Sequence, residues 1–261
     1  MIPIEALPRY QQLFCRIFAV DAAFCSRIFS HRLEQVFDIQ KQGEILSFLY
    51  PIPFEAKVRN KPYRAMYVYG VGTVEHARGR GYMKEVFHKM EDYYKNDVDF
   101  YYLVPANEAL FSLYETIGYK TGFYLKKELL FPKKDNCLTY EIKEANEEFH
   151  SDYLRWISSF DTAVIRTEKD SRFYLESGTY SKIAQSGFFW ESDHTAVYLR
   201  EAYFPNRNTL ACFLDFLAKK GYEKVIVTKP EKKTPYAMIK PIHPDLIQAD
   251  FSSGYTNLNF D

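Results

Sequence analysis

Between positions 9 and 33 the run RYQQLFCRIFAVDAAFCSRIFSHRL places Leu13, Ile17, Phe24, Ile28 and Phe29 at helical spacing. Two short helices are expected there, with Asp21 capping the second. The rhythm then changes. Runs 44–58 (EILSFLYPIPFEAKV) and 64–74 (RAMYVYGVGTV) are rich in β-branched and aromatic residues, and turn-forming 59–63 separates them. They read as strands. Over 83–94 the apolar positions Met83, Val86, Phe87, Met90, Tyr93 and Tyr94 fall on one helix face. A strand over 98–105, a helix capped by Asn107 and a strand near 119–129 complete this half. Helices, a meander, then alternating strands and helices make a mixed α/β (α+β) order.

The punctuated stretch 131-FPKKDNC-137 predicts a linker between a domain over 1–130 and a second over 137–261. The second half repeats part of the first. At an offset of 124 residues, 195–208 falls on 71–84, the helix-like 206–221 on the helix at 83–94, and 222–230 on the strand at 98–105. Pro205 stands where the first half has Gly81, and no room for a helix remains between 229 and 236. The repeat is worn.

Composition narrows the classes. In 261 residues, 47% are hydrophobic, with 22 tyrosines and 22 phenylalanines, enough for a large core. Thirty-four basic residues balance 34 acidic ones, so no global field favours nucleic acid or an anionic membrane. The tract 229–235 (KPEKKTP) mixes charges and reads as a solvated loop. Cys15, Cys25, Cys137 and Cys212 form no CxxC pair and are expected to be reduced. The six histidines are isolated and HExxH is absent, so no metal site is expected. With no signal-peptide pattern and no apolar run approaching ~20 residues, a cytoplasmic protein is the expectation.

The stretch 71-VGTVEHARGRGYMKEVF-87 joins a strand to a helix through a glycine-rich hinge. Backbone N–H groups converge at such a junction, and the helix dipole adds partial positive charge. Glycine permits unusual dihedrals and removes bulk, while Arg78 and Arg80 add charges suited to phosphate. The physics points to a bound polyanion, most simply a pyrophosphate. Neither a Walker loop nor a GxGxxG fingerprint can be drawn here.

The run 68-VYGVGTVEHARGRGYMKEVF-87 resembles motif A of the GCN5-related N-acetyltransferases (GNAT), with Arg78, Gly81 and Met83 at the positions of R/Q-x-x-G-x-G/A. Met83 departs from the usual small residue. That bulk, and the lead-in at 67–71, are similar to the Eis-like branch. A second block, 107-NEALFSLYETIGYK-120, resembles the family's N-x(5)-LY-x-x-x-GF/Y. The resemblance covers 1–130 and implies tandem GNAT-like mixed sheets flanked by helices, the second lobe degenerate. It implies acetyl-CoA as cosubstrate, with Thr73 and Val74 on a splayed strand, Arg78, Gly79, Arg80, Gly81, Tyr82 and Met83 at the diphosphate, and Asn107 at the pantetheine arm. Tyr114 would be the general acid for the departing thiolate. On spacing alone it fits equally a core stripe with Leu110, Leu113 and Ile117.

Direct transfer to a primary amine, on a small molecule or a protein lysine, is therefore expected, with no acyl-enzyme. The base is open: Glu75 is one candidate. A second is Asp261, because 255-YTNLNFD-261 alternates like a strand to the last residue and a terminal carboxylate reaches the active site in Eis-type relatives. Trp156 and Trp190 read either as core or as walls of an acceptor pocket. Two rival functions stand beside this one: a non-catalytic acyl-CoA sensor, and a tandem aminoacyl transferase, which the neutral charge disfavours.

Overall fold

A computed structural model describes residues 7–33, 35–134 and 141–257. Helices α1 (Leu7–Phe18) and α2 (Ala22–His31) open the chain, and the Asp21 carboxylate accepts the Phe24 N–H at 2.7 Å as the cap of α2. Strands β1 (Phe37–Lys41), β2 (Glu44–Val58) and β3 (Lys61–Thr73) form the meander. β1 was not expected. It is five residues long and partly exposed, too short to show an alternation. The turn between β2 and β3 is tighter than 59–63: Val58 pairs with Lys61, and Arg59 and Asn60 both take positive φ, the geometry of a two-residue hairpin.

Helix α3 (Tyr82–Tyr94), β4 (Phe100–Leu103), α4 (Ala109–Glu115) and β5 (Lys120–Leu130) follow, then β6 (Ile142–Glu144), α5 (Phe149–Ile157), β7 (Ala163–Ile165) and α6 (Glu168–Leu175). The chain continues through β8 (Thr179–Ile183), β9 (Ser186–Ser192), β10 (Val197–Tyr203), α7 (Arg207–Lys219), β11 (Val225–Pro241) and α8 (Pro244–Ile247). Among the described residues no helix is long and apolar enough to cross a membrane.

All eleven strands among the described residues join one mixed sheet, in the order β1-β2-β3-β4-β11-β10-β9-β8-β6, with β5 on β11 and β7 on β2. The centre is palindromic. β3 runs through α3 into parallel β4 and has β2 as antiparallel neighbour; β10 runs through α7 into parallel β11 and has β9 as antiparallel neighbour. α3 and α7 have 13 residues each. The two arms meet where β4 pairs antiparallel with β11. The tract 229–235, read above as a solvated loop, belongs to a strand. β11 runs through it, and its register against β5 jumps from Lys229↔Lys126 to Thr234↔Leu125, so the charged tract bulges outward into solvent.

The sheet separates its apolar layers by strand alternation. Leu49, Met66, Val68 and Tyr101 face α3 and α4, where Val86, Phe87, Met90 and Tyr114 meet them. Phe48, Tyr67, Phe100 and Tyr102 face the other way, into a core that continues from α1 and α2 to Phe149, Tyr153, Phe189 and Tyr203 of the second half. α7 covers the far end through Phe213 and Leu217 on Val197, Leu199 and Val225.

Candidate active site

β3 and β4 pair over only three positions, from Ala65↔Phe100 to Tyr67↔Tyr102. Beyond Tyr67 they part. Tyr69 still faces Tyr50, and Gly72 faces Phe48, so β3 holds one more residue than β2 between those pairs. This bulge turns the strand away from β4. Gly70 sits in it with φ +57, and a Cβ there would lie 2.7 Å from the Phe14 ring and 3.1 Å from Tyr50. Both conformation and packing require glycine.

The parted strands leave a cleft of about 720 Å³, floored by Val71, Gly72 and Thr73 and walled by Ile17 of α1 and Leu110 and Leu113 of α4. Buried Ser47 holds the Thr73 side chain at 3.0 Å. Val74 stands outside this lining. Its N–H donates to the Leu46 carbonyl at 3.0 Å, and its side chain packs against Leu46 and Ala77. That amide is already engaged, whereas Thr73 lines the opening.

After Val74 a single 3-10 turn, Glu75–Ala77, reverses the chain. Arg78 Nε donates to the Thr73 carbonyl at 3.3 Å, which lays the guanidinium along the cleft mouth. Gly79 (φ +72) and Gly81 (φ +83) lead into α3, and a Cβ at either would meet nothing within 4 Å. Gly81 is the N-cap and offers no side-chain hydrogen bond. The first intrahelical bond runs from Glu85 N–H to the Gly81 carbonyl at 3.1 Å, so the amides of Tyr82, Met83 and Lys84 point outward without intrahelical partners. Arg78, Gly79, Gly81, Tyr82, Met83 and Lys84 all line the cleft. Arg80 is exposed beside it. Lys84 was not foreseen; a basic residue on the third position of a helix that opens on a glycine hinge is the signal that marks it. Among the described residues no Asp, Glu or His lines the cleft, while Arg78 and Lys84 bring positive charge to its mouth. This donor set suits a diphosphate.

Asn107 also lines the cleft, but it does not cap α4. That helix begins two residues later, after short-range bonds from Leu110 to Asn107 and from Phe111 to Glu108, and no side chain caps it. Tyr114 closes the inner end. It is 6% exposed, set edge-on to Phe87 at 6.0 Å, and burial pushes its phenol up to about 12. Glu75 is exposed and outside the lining. Asp261 lies outside the described residues.

Residues 9–122 match the family described as the acetyltransferase (GNAT) domain. That segment, just under half of the chain, is an acetyltransferase (GNAT) domain. GNAT-fold structures align along nearly all of it. A probable N-acyltransferase from Enterococcus faecalis superposes with a TM-score of 0.76 at 14% identity, covering 92% of this chain and 71% of that one. A GCN5-related N-acetyltransferase from Anabaena variabilis gives 0.74 at 14% identity, with coverage of 92% and 71%. Eis1 from Mycobacterium abscessus gives 0.68 at 9% identity, with coverage of 93% and 73%. At these identities the likeness is one of fold, and it extends beyond the GNAT-matched segment into the second half. No curated protein matches the sequence.

Proposed function

We propose that the protein transfers an acetyl group from acetyl-CoA directly to a primary amine, carried by a small molecule or a protein lysine. The observation that carries this reading is the uncapped start of α3, with Arg78 and Lys84 beside it, opening into the same cleft that Tyr114 lines. The diphosphate would sit on the amides of 82–84, and the pantetheine arm would run along Gly72 and Thr73 past Asn107. Bound there, the thioester supplies the acyl group: the amine forms the C–N bond as the C–S bond breaks.

Backbone donors of the bulged β3 are the groups available to stabilise charge on the thioester oxygen. Tyr114 has a different task. With its pKa near 12 it stays protonated at every working pH. A thiol has a reference pKa of about 8.5, so full proton transfer from this phenol to a free thiolate runs uphill. The hydroxyl therefore acts first as a hydrogen-bond donor to the sulfur. It gives up its proton only in concert with the proton lost by the attacking amine. Among the described residues no carboxylate or imidazole lines the cleft, and where Asp261 supplies none the amine enters as its free base. With an alkylamine acceptor, kcat/KM is then expected to rise about tenfold per pH unit up to the amine's own pKa. A plateau near pH 6 to 7 would instead reveal a protein base.

We place residues 137–261 as a degenerate GNAT-like lobe, on the strength of the repeated β10–α7–β11 unit. The test of the function begins with acetyl-CoA binding by calorimetry, followed by an amine panel read by thiol release. Arg78→Ala should weaken acetyl-CoA binding about tenfold or more, the scale of a charge-assisted contact. An unaltered dissociation constant would refute the diphosphate assignment. A non-catalytic acyl-CoA sensor would use the same cleft, and tight binding with no thiol release across the panel would select that reading.

A further inference from the structure

The palindrome of the sheet gives the first cleft a counterpart. β10 and β11 also pair in parallel over three positions, Val197↔Val225 to Leu199↔Val227, and then part. β10 also carries a bulge. Leu199 faces Trp190 and Glu201 faces Phe189, leaving Arg200 as the extra residue. Between the parted strands lies a second cleft of about 320 Å³. Trp156 and Tyr255 wall it with rings, and Leu199, Ala202, Leu210 and Val227 supply an aliphatic bed.

Two features separate it from the first. The start of α7 is closed by its own side chains: Asn206 accepts the Thr209 N–H at 2.9 Å, and the Thr209 hydroxyl accepts the Asn206 N–H at 3.1 Å. This capping box takes up the amides of Asn206 and Thr209, so fewer bare amides remain there than at the start of α3. The charged groups at the cleft are also already paired. Glu201 takes both Arg166 nitrogens, at 2.9 and 2.7 Å, and the hydroxyls of Tyr203 and Tyr255. Arg200 meets Glu191 at 2.8 Å, Lys229 meets Glu128 at 2.7 Å, and Glu231 meets Lys126 at 3.3 Å. A charged guest would have to break one of these pairs; a neutral one would not. The volume is at the lower end of ligand pockets, and ring walls over an aliphatic bed favour flat apolar guests.

We propose that the second half holds a ligand site of its own, between the parted ends of β10 and β11, for a compact uncharged molecule bearing an aromatic ring. The site is separate from acyl-CoA binding and independent of the reaction assigned above.

N-phenyl-1-naphthylamine is a suitable probe, being neutral and fluorescent only when shielded from water. Its sulfonated analogue, 8-anilinonaphthalene-1-sulfonate, differs by one charge. The full chain should bind the neutral probe saturably at one per molecule, and more tightly than the sulfonate by at least about tenfold. Saturating coenzyme A should not displace it. Leu210→Trp and Ala202→Ile each fill the cleft from a different element and should each weaken the probe at least about tenfold, with coenzyme A affinity unchanged. Four outcomes overturn the proposal: no saturable binding, preference for the sulfonate, displacement by coenzyme A, or retained affinity in the two filled variants. If one variant misfolds, the other and the displacement experiment still decide.

Discussion

Burial decides what the Tyr114 hydroxyl can contribute. Among the described residues it has no hydrogen-bond partner, and its ring is fixed by Phe87 and Tyr119 at 6.0 and 6.2 Å. Removing the hydroxyl leaves that packing in place. Tyr114→Phe should therefore lower kcat by about 100-fold while leaving acetyl-CoA affinity within about twofold, since proton donation acts on the departing sulfur and not on the diphosphate. Steady-state kinetics beside calorimetry separates the two, and an unchanged kcat would return Tyr114 to a packing role. Gly70 makes the opposite kind of demand. Gly70→Ala introduces a Cβ 2.7 Å from Phe14 at positive φ, and should cost about 1–3 kcal/mol in denaturant unfolding. Arg78, Gly81 and Tyr114 were singled out through the resemblance to the family's two motifs, and all three line the cleft. Val74 was not, because only the fold reveals that its N–H is held by Leu46. The adjacent Thr73 shows the difference one strand position makes.

Helix starts divide the two halves more sharply than any single side chain. α3 and α7 have the same length and follow equivalent strands, yet Gly81 leaves one start without a side-chain cap and a reciprocal pair, Asn206 with Thr209, caps the other. A capped start stabilises its helix. Asn206→Ala should therefore lower unfolding stability by about 1 kcal/mol, the usual cost of a lost cap, and leave coenzyme A binding unchanged. A larger loss accompanied by weaker coenzyme A binding would mean that α7 supports the first cleft. The sequence already contrasted Gly81 with Pro205, but the cap one residue further on, not the proline, closes the helix. The boundaries that failed have local reasons as well. Asn107 is a good capping residue that α4 leaves unused, and β1 is fixed by pairing with β2 from Phe37↔Leu49 to Lys41↔Glu44, not by its own pattern.

Long-range pairing explains why the chain reads as two lobes and folds around one sheet. β4 and β11 are far apart in sequence and meet at the centre of the palindrome, and no local signal announces that register. Across the same junction, the end of α2 presents the His31 imidazole and the Arg32 guanidinium to a buried carboxylate on α6. Arg32 Nε lies 2.9 Å and His31 Nε2 3.2 Å from one oxygen of Asp170, and the Thr167 hydroxyl donates to the other at 2.7 Å. Burial alone would raise the pKa of this carboxyl. The hydrogen bonds from His31 and Thr167 and the Arg32 charge outweigh it and hold Asp170 below the ordinary range. A depressed carboxyl adds stability that is present above its unfolded pKa of about 3.9 and is lost as pH falls through the folded value. Asp170→Asn should therefore destabilise the protein by about 3 kcal/mol at pH 7, because it leaves Arg32 without its buried counter-charge. Below about pH 5 the wild type should lose stability more steeply than the variant, so that the gap narrows. Denaturant midpoints measured stepwise from pH 7 to pH 3 follow this, and curves that stay parallel would show that the junction binds no linked proton at Asp170.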